Sequence, residues 1–167
     1  EVSKAYESMM ERVRAAQPYA RIEGVMVQQY VKGGRETIVG SIADPGFGSL
    51  VMFGLGGPYV EALGDVAFRV APVTDVDAHE MVRSLRGYPL LRGVRNGTPA
   101  DLELIVEVLQ RVSQLASENE NLLELDIHPF VVHERDGVAL DAHIRVGSAR
   151  RRDLATPRHT VGRPVRR

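Results

Sequence analysis

The chain has 167 residues, 44% apolar and 26% charged, which fits a soluble globular protein with one well-filled core and leaves no room for two large domains. It contains no cysteine, so disulfides, thiolate metal sites and a cysteine nucleophile are excluded. The net charge of -1 conceals an uneven distribution: residues 149–167 hold seven arginines and one acid, Asp153, so the rest of the chain carries about -7.

In chain order, residues 2–16 place Val2, Ala5, Tyr6, Met9, Met10 and Val13 at spacings of three and four, predicting an amphipathic helix that Pro18 ends. GVMVQQYV (24–31) and RETIVGSIA (35–43) read as strands, joined into a hairpin by Lys32-Gly33-Gly34. Asp44-Pro45-Gly46 predicts a turn, Leu50 to Phe53 a short buried strand, and Gly54 to Gly57 a flexible loop. DVAFRVAP (65–72) is a further strand, closed by Pro72. Thr74 is placed to cap a helix over residues 75–85, with Asp75 and Asp77 in its favourable first turn and Gly87 beyond its end.

A longer helix is predicted from Thr98 or Pro99 to about Ser117, with Leu102, Ile105, Val106, Leu109, Val112 and Leu115 on one face. The stretch LLELDIHPFVVHERDGVALDAHIRV (122–146) predicts a hairpin about a two-residue turn at Asp136-Gly137. On its first strand Leu123, Leu125 and Ile127 oppose Glu124, Asp126 and His128; on its second, Leu140, Ala142 and Ile144 oppose Asp141, His143 and Arg145. The turn pairs even-numbered residues with odd-numbered ones, so both polar sets share a face. The layout is α+β, with antiparallel strands segregated from helices. Residues 148–167, with two prolines and no periodicity, are expected to be a disordered basic tail, with contact to RNA, phospholipid or a partner as the alternative.

Several stretches carry chemistry. FGLGGPYVE is a glycine-rich loop leaving a strand, where backbone N–H groups can approach a phosphate, although it lacks the lysine and hydroxyl of a P-loop. Glu36 shares a strand face with Ile38 and Gly40, and its carboxylate suits a ribose or a metal. Asp126, His128 and Asp141 form an oxygen-rich set suited to a divalent cation. The plain alternatives are a ligand-free turn, an exposed acid and the wet side of a half-buried sheet. No histidine sits in a zinc-motif spacing, His79 reads as solvated on a charged helix face, and no G-x-S-x-G elbow supports a hydrolase. No apolar run approaches the roughly 20 residues of a membrane span, and EVSKAYESMMERVRAAQ lacks a signal-peptide core. The expectation is a cytoplasmic protein with no membrane and no specific nucleic-acid partner.

Two stretches, GVMVQQYVKGGRETIVGSIADPGFGSLVMFGLGGPYVEALGDVAFRVAP and LLELDIHPFVVHERDGVALDAHIRV, together resemble the ATP-grasp domain of NDP-forming acyl-CoA synthetases, a family including acetate–CoA ligases and fusions with GNAT acetyltransferases. The resemblance spans residues 1–147 and implies an ATP-grasp large lobe with part of the small lobe. It implies the reaction acid + CoA + ATP to acyl-CoA + ADP + phosphate, through a phosphohistidine on a CoA-binding domain or subunit. By resemblance, Gln28, Gln29, Tyr30 and Val31 fall on the hinge that reads the adenine, Glu36 and Gly56-Gly57 lie close to the nucleotide, and Asp126, His128 and Asp141 fall on the Mg²⁺ site. ATP or ADP with Mg²⁺ is thus the implied cofactor pair. Histidine replaces the family's asparagine at 128, which favours Mn²⁺ or Zn²⁺ over Mg²⁺.

The front of the small lobe, with its phosphate-gripping lysine, and the phosphohistidine portion have no counterpart in these residues. The chain is therefore expected to be inactive alone, to expose an unpaired edge at its first hairpin, and to self-associate or require a partner. A non-catalytic assembly module, including one from an acetyltransferase fusion, is the alternative.

Overall fold

The computed structural model describes residues 1–57, 64–94 and 97–147. The chain divides into two compact units, one of Glu1–Lys32 and one starting at Gly33. The expected disordered tail and the Pro58 to Glu61 end of the glycine-rich segment lie outside the described residues.

In the first unit, α1 (Val2–Ala16) forms as its spacing predicts, and the Gln17 N–H closes its last turn on the Val13 carbonyl. Of its apolar stripe, however, Met10 alone is buried, while Val2, Tyr6, Met9 and Val13 are exposed. Residues 24–31 are not a strand, and Met26, Val27 and Tyr30 are each at least 80% exposed. The predicted first hairpin is therefore absent. The reason lies in β1 (Arg35–Asp44): one of its edges is taken by β2 (Gly48–Leu55) and the other by β4 (Leu122–Val132). An alternating segment without a ladder partner has a strand's pattern and no strand's hydrogen bonds.

The second unit is built on a six-stranded antiparallel sheet in the order β3 (Val66–Val70), β2, β1, β4, β5 (Gly137–Ala139), with β6 (Ala142–Val146) also paired to β4. The Asp44 carboxylate accepts the Gly46 and Phe47 N–H groups and so forms the expected turn between β1 and β2. β2 runs past the predicted end at Phe53 to Leu55, because Gly54 pairs with Val66 of β3 (Val66–Val70). Thr74 caps α2 (Asp75–Ser84) in a reciprocal capping box with Asp77. The Thr74 hydroxyl bond, and then its backbone bond, hold the Asp77 carboxyl below the usual aspartate range.

A short helix that the sequence pattern does not reveal, α3 (Tyr88–Leu91), follows and buries Leu91. α4 (Leu102–Glu118) starts later than Thr98 or Pro99, with Asp101 as N-cap. The preceding amides are committed elsewhere, Ala100 N–H to the Leu91 carbonyl and Asp101 N–H to that of His133. Ile105, Val106, Leu109, Val112 and Ala116 face the core, whereas Leu115 is exposed.

Paired residues share a sheet face. Thr37, Val39 and Ser41 of β1 therefore lie with Leu55, Phe53 and Val51 of β2 and with Phe130, Ile127 and Leu125 of β4. α2 and α4 cover this face, and Val39, Val51, Phe53, Leu109, Leu125 and Val132 belong to one buried cluster. The other face carries Glu36, Ile38, Gly40, Gly54 and Asp126, with Ile38 and Val131 buried on it.

The terminal hairpin departs from strict alternation. Its loop is residues 133–136, because Val132 already pairs with Gly137, and the return strand is split into β5 (Gly137–Ala139) and β6 (Ala142–Val146). The predicted parity holds where Glu124 faces Arg145 and Asp126 faces His143, but β4 has two register shifts. One lies between Leu122 and Glu124, and turns Leu122, in place of Leu123, into the core. The other sets two residues, His128 and Pro129, against Ile38 of β1, as in a β-bulge. β6 is exposed along its whole length, so its expected apolar side, Ile144 included, is uncovered.

Candidate functional site

The best-defined constellation lies where β1 begins and β2 ends. Gly56 donates its N–H to the Glu36 carbonyl at 2.6 Å. A Cβ on Gly56 would stand 2.8 Å from Glu36 backbone and Cβ atoms, so no larger residue fits. Gly57 has φ of +67°, and a Cβ there would lie 3.1 Å from a Glu36 carboxylate oxygen. Glu36 is exposed and its carboxylate lies against the Gly57 backbone. The three residues singled out separately from sequence thus form one contact: an acid beside a side-chain-free loop.

Asp65 stands just before β3. Its buried carboxylate accepts the N–H groups of Arg86 at 2.9 Å and Gly87 at 2.7 Å, fixing the α2–α3 junction to the start of β3. Asp65 was missed because a lone acid before a strand carries no pattern. Its importance arises from residues about twenty positions away in sequence.

The metal set is assembled less completely. Asp126 is half-buried on β4, with Gly40 of β1 and His143 of β6 as its cross-strand partners. His128 occupies the bulge, and Asp141 lies in the link between β5 and β6 instead of on the return strand. The His128 N–H bonds to the Asp141 carbonyl at 3.2 Å, so the two backbones adjoin. The Asp141 carboxylate turns to its own strand, accepting Ala142 N–H at 2.8 Å and lying 3.4 Å from His143 Nε2. Among the described residues no three acidic or imidazole side chains converge as a metal site. The expected common face fails at His128 because the bulge interrupts the alternation on which that expectation rests. His143, to which sequence reasoning assigned no role, lies against the Asp141 carboxylate and is the cross-strand partner of Asp126; its signal was the odd–even pairing with Asp126.

As a donor set, Asp126 and Asp141 offer the carboxylate oxygens that Mg²⁺ takes, but His128 and His143 offer imidazole nitrogen, which suits Mn²⁺ or Zn²⁺ better. In this arrangement the set does not fit a Mg²⁺ held by the protein alone. Gln28, Gln29, Tyr30 and Val31 lie in the first unit, outside any helix or strand ladder, with Gln28 Nε2 3.2 Å from Met26 Sδ.

His79 is not merely solvated. Its Nδ1 lies 3.0 Å from the Asp75 carbonyl and its Nε2 3.4 Å from a Glu103 oxygen, linking α2 to the first turn of α4. The Asp75 carbonyl and then the Glu103 carboxylate favour the imidazolium and raise the pKa above the ordinary 6.5.

Among the described residues no helix is long and apolar enough to cross a membrane. A model of the ATP-grasp domain matches residues 1–146. Acetate–CoA ligase [ADP-forming] I of Archaeoglobus fulgidus is 46% identical over 147 residues, covering 88% of this chain and 22% of that protein. The beta subunit of acetate–CoA ligase [ADP-forming] I from Pyrococcus furiosus is 42% identical, covering 86% and 62%. The chain therefore spans less than two thirds of these curated relatives.

Among solved structures, the dinucleotide-forming acetyl-coenzyme A synthetase 1 of Ca. Korarchaeum cryptofilum, in complex with coenzyme A, Ca-AMPCP and HgCl+, superposes with a TM-score of 0.77 at 41% identity. That match covers 86% of this chain and 63% of that one. The same enzyme with coenzyme A and Mg-AMPPCP, its phosphohistidine segment pointing towards the nucleotide-binding site, gives 0.74 at 37% identity, covering 87% and 63%. The fold, the extent of the family match and these identities agree: the chain belongs to the ATP-grasp family.

Proposed function

We propose that the chain is the nucleotide-binding part of an NDP-forming acyl-CoA synthetase, working with a CoA-binding polypeptide or domain that carries the phosphohistidine. The observation that carries this reading is the Glu36–Gly56–Gly57 contact in a chain similar along most of its length to such ligases. Glu36 accepts hydrogen bonds from the nucleotide, and the Gly56-Gly57 backbone lets it approach without steric conflict. Residues 28–31, whose backbone groups are outside any strand ladder, serve the adenine. Asp126 and Asp141 would supply carboxylate oxygens to a metal that arrives with the nucleotide, and His128 would shift the preference from Mg²⁺ towards Mn²⁺ or Zn²⁺. When bound, the metal neutralises phosphate charge during phosphoryl transfer.

Calorimetric titration of ADP with each of the three metals tests the reading. Glu36→Ala should abolish measurable binding, and His128→Asn should tighten the Mg²⁺ complex relative to the Mn²⁺ complex. In acetate, CoA, ATP and Mg²⁺ the chain by itself should form no thioester; turnover above background would overturn the need for a second polypeptide. The uncollected metal set favours a second reading, a non-catalytic module of the same fold. That reading predicts no nucleotide binding with any metal.

A further inference from the structure

We propose that a cleft at the end of the sheet away from Glu36 is the docking site of the chain's own arginine-rich segment, residues 148–167. The cleft has a volume of about 730 Å³ and is lined in part by Asp44, Ser49, Pro72, Ser117, Glu120 and Leu123. The carboxyl end of α4 contributes Ala116, Ser117 and Asn119 to its wall. A helix carboxyl end carries partial negative charge and ordinarily takes lysine or arginine in its last turn. α4 has no basic residue there, and Glu118 and Glu120 add acid instead. The cation lining the cleft, Arg145, is engaged by Glu124 through two 2.9 Å contacts. The acidic end of α4 beside the cleft thus lacks the basic partner that a helix carboxyl end ordinarily has.

The chain's path indicates the source. The Gly147 N–H bonds to the Asn121 carbonyl at 3.0 Å, between the cleft residues Glu120 and Leu122. A Cβ on Gly147 would lie 2.5 Å from Leu123 Cδ1, so the chain departs in contact with the cleft's own lining. Arg150, Arg151 and Arg152 follow within about 10–18 Å of contour length. The segment carries seven arginines against one acid, whereas the rest of the chain is acidic. Individual exposed ion pairs are weak, but a tether raises the effective concentration to about millimolar, so several pairs together act as one site. Arginine stems can also lie along Ile42, Pro45 and Leu123 while their guanidinium groups reach the acids.

The absence of cysteine makes the test direct. The full chain carrying Thr160→Cys is labelled there with a nitroxide, and paramagnetic broadening of its amides is recorded. The amides of Ser49, Ser117 and Asn119 should broaden at about 0.05 M salt and recover at about 0.5 M, where the screening length is well below 10 Å. Glu118→Lys with Glu120→Lys should reduce the docked-to-free ratio about fivefold, as expected for loss of one or two exposed pairs. Replacing Arg150, Arg151 and Arg152 by Gln should act similarly and leaves the folded body unaltered. Broadening that is absent, centred elsewhere or insensitive to both charge changes would overturn the proposal. So would broadening transferred between spin-labelled and isotope-labelled copies, which would identify a second molecule as the occupant.

Discussion

The two faces of the sheet are made by the same strands and do opposite work. Towards α2 and α4, Val39, Val51, Phe53 and Leu125 are buried with Leu109, and even the Thr37 hydroxyl is satisfied, by the Phe130 carbonyl at 2.8 Å. On the other face lie Glu36, Asp126 and His143, with glycine at 40 and 54, where a Cβ would stand 2.8 Å from the Leu125 carbonyl oxygen and from Val66 Cγ1 respectively. Period-two alternation allows one strand to give one side to stability and the other to chemistry. The division predicts that substitutions on the covered face change folding and spare ligand affinity, and that those of the exposed or half-buried polar side chains on the other face do the reverse.

The largest effect should come from the covered side. Leu109→Ala should lose about 2–5 kcal/mol in a denaturant titration, because a fully buried side chain leaves a cavity between helix and sheet. Metal–nucleotide affinity in the population that remains folded should be unchanged; a loss of affinity with intact stability would break the division. Asp65→Ala comes next, since it deprives the Arg86 and Gly87 amides of their acceptor, at a cost of roughly 1–3 kcal/mol. Asp65→Asn keeps one carbonyl oxygen and should recover part of that. Asp141→Ala, on an exposed link, should shift stability by no more than about 0.5 kcal/mol while weakening the metal–nucleotide complex. Equal binding by wild type and variant would remove Asp141 from the proposed site.

The smallest effect is the pH dependence of the α2–α4 link. The His79 pKa is raised in the folded state, so the stabilisation is fully present below the unfolded value near 6.5 and is lost as pH rises through the folded value. The stability difference between wild type and His79→Gln should therefore be greatest in mild acid and fade towards neutral and alkaline pH. A difference that grew with pH would contradict the contacts to Asp75 and Glu103.

Local signals were legible wherever a single segment contains its own cause. Thr74 with Asp77, the turn at Asp44, the stripe of α4 and the turn before Gly137 each depend on neighbours within a few residues, and each element formed close to its expected place. The start of α4 was misplaced because Asp101, not Thr98, caps it and takes the Leu104 N–H, while the Ala100 and Asp101 amides bond the distant Leu91 and His133 carbonyls. The site was legible as residue types and less so as geometry. Glu36, Gly56 and Gly57 meet because β1 pairs with β2, whereas His128 is displaced by a bulge that alternation does not announce.

Composition and periodicity by themselves determined the α+β class, the antiparallel strands and the amphipathic helices; the family came from the resemblance of two stretches, and the domain match over residues 1–146 bears it out. Strand membership was decided in three dimensions. Residues 24–31 and β4 have comparable β patterns, yet β4 is paired on both edges and the earlier segment is in no ladder. A strand is a hydrogen-bonded relation between segments, so each pattern is necessary and neither is sufficient. The partner, the register and any bulge follow from how the whole sheet satisfies its backbone groups.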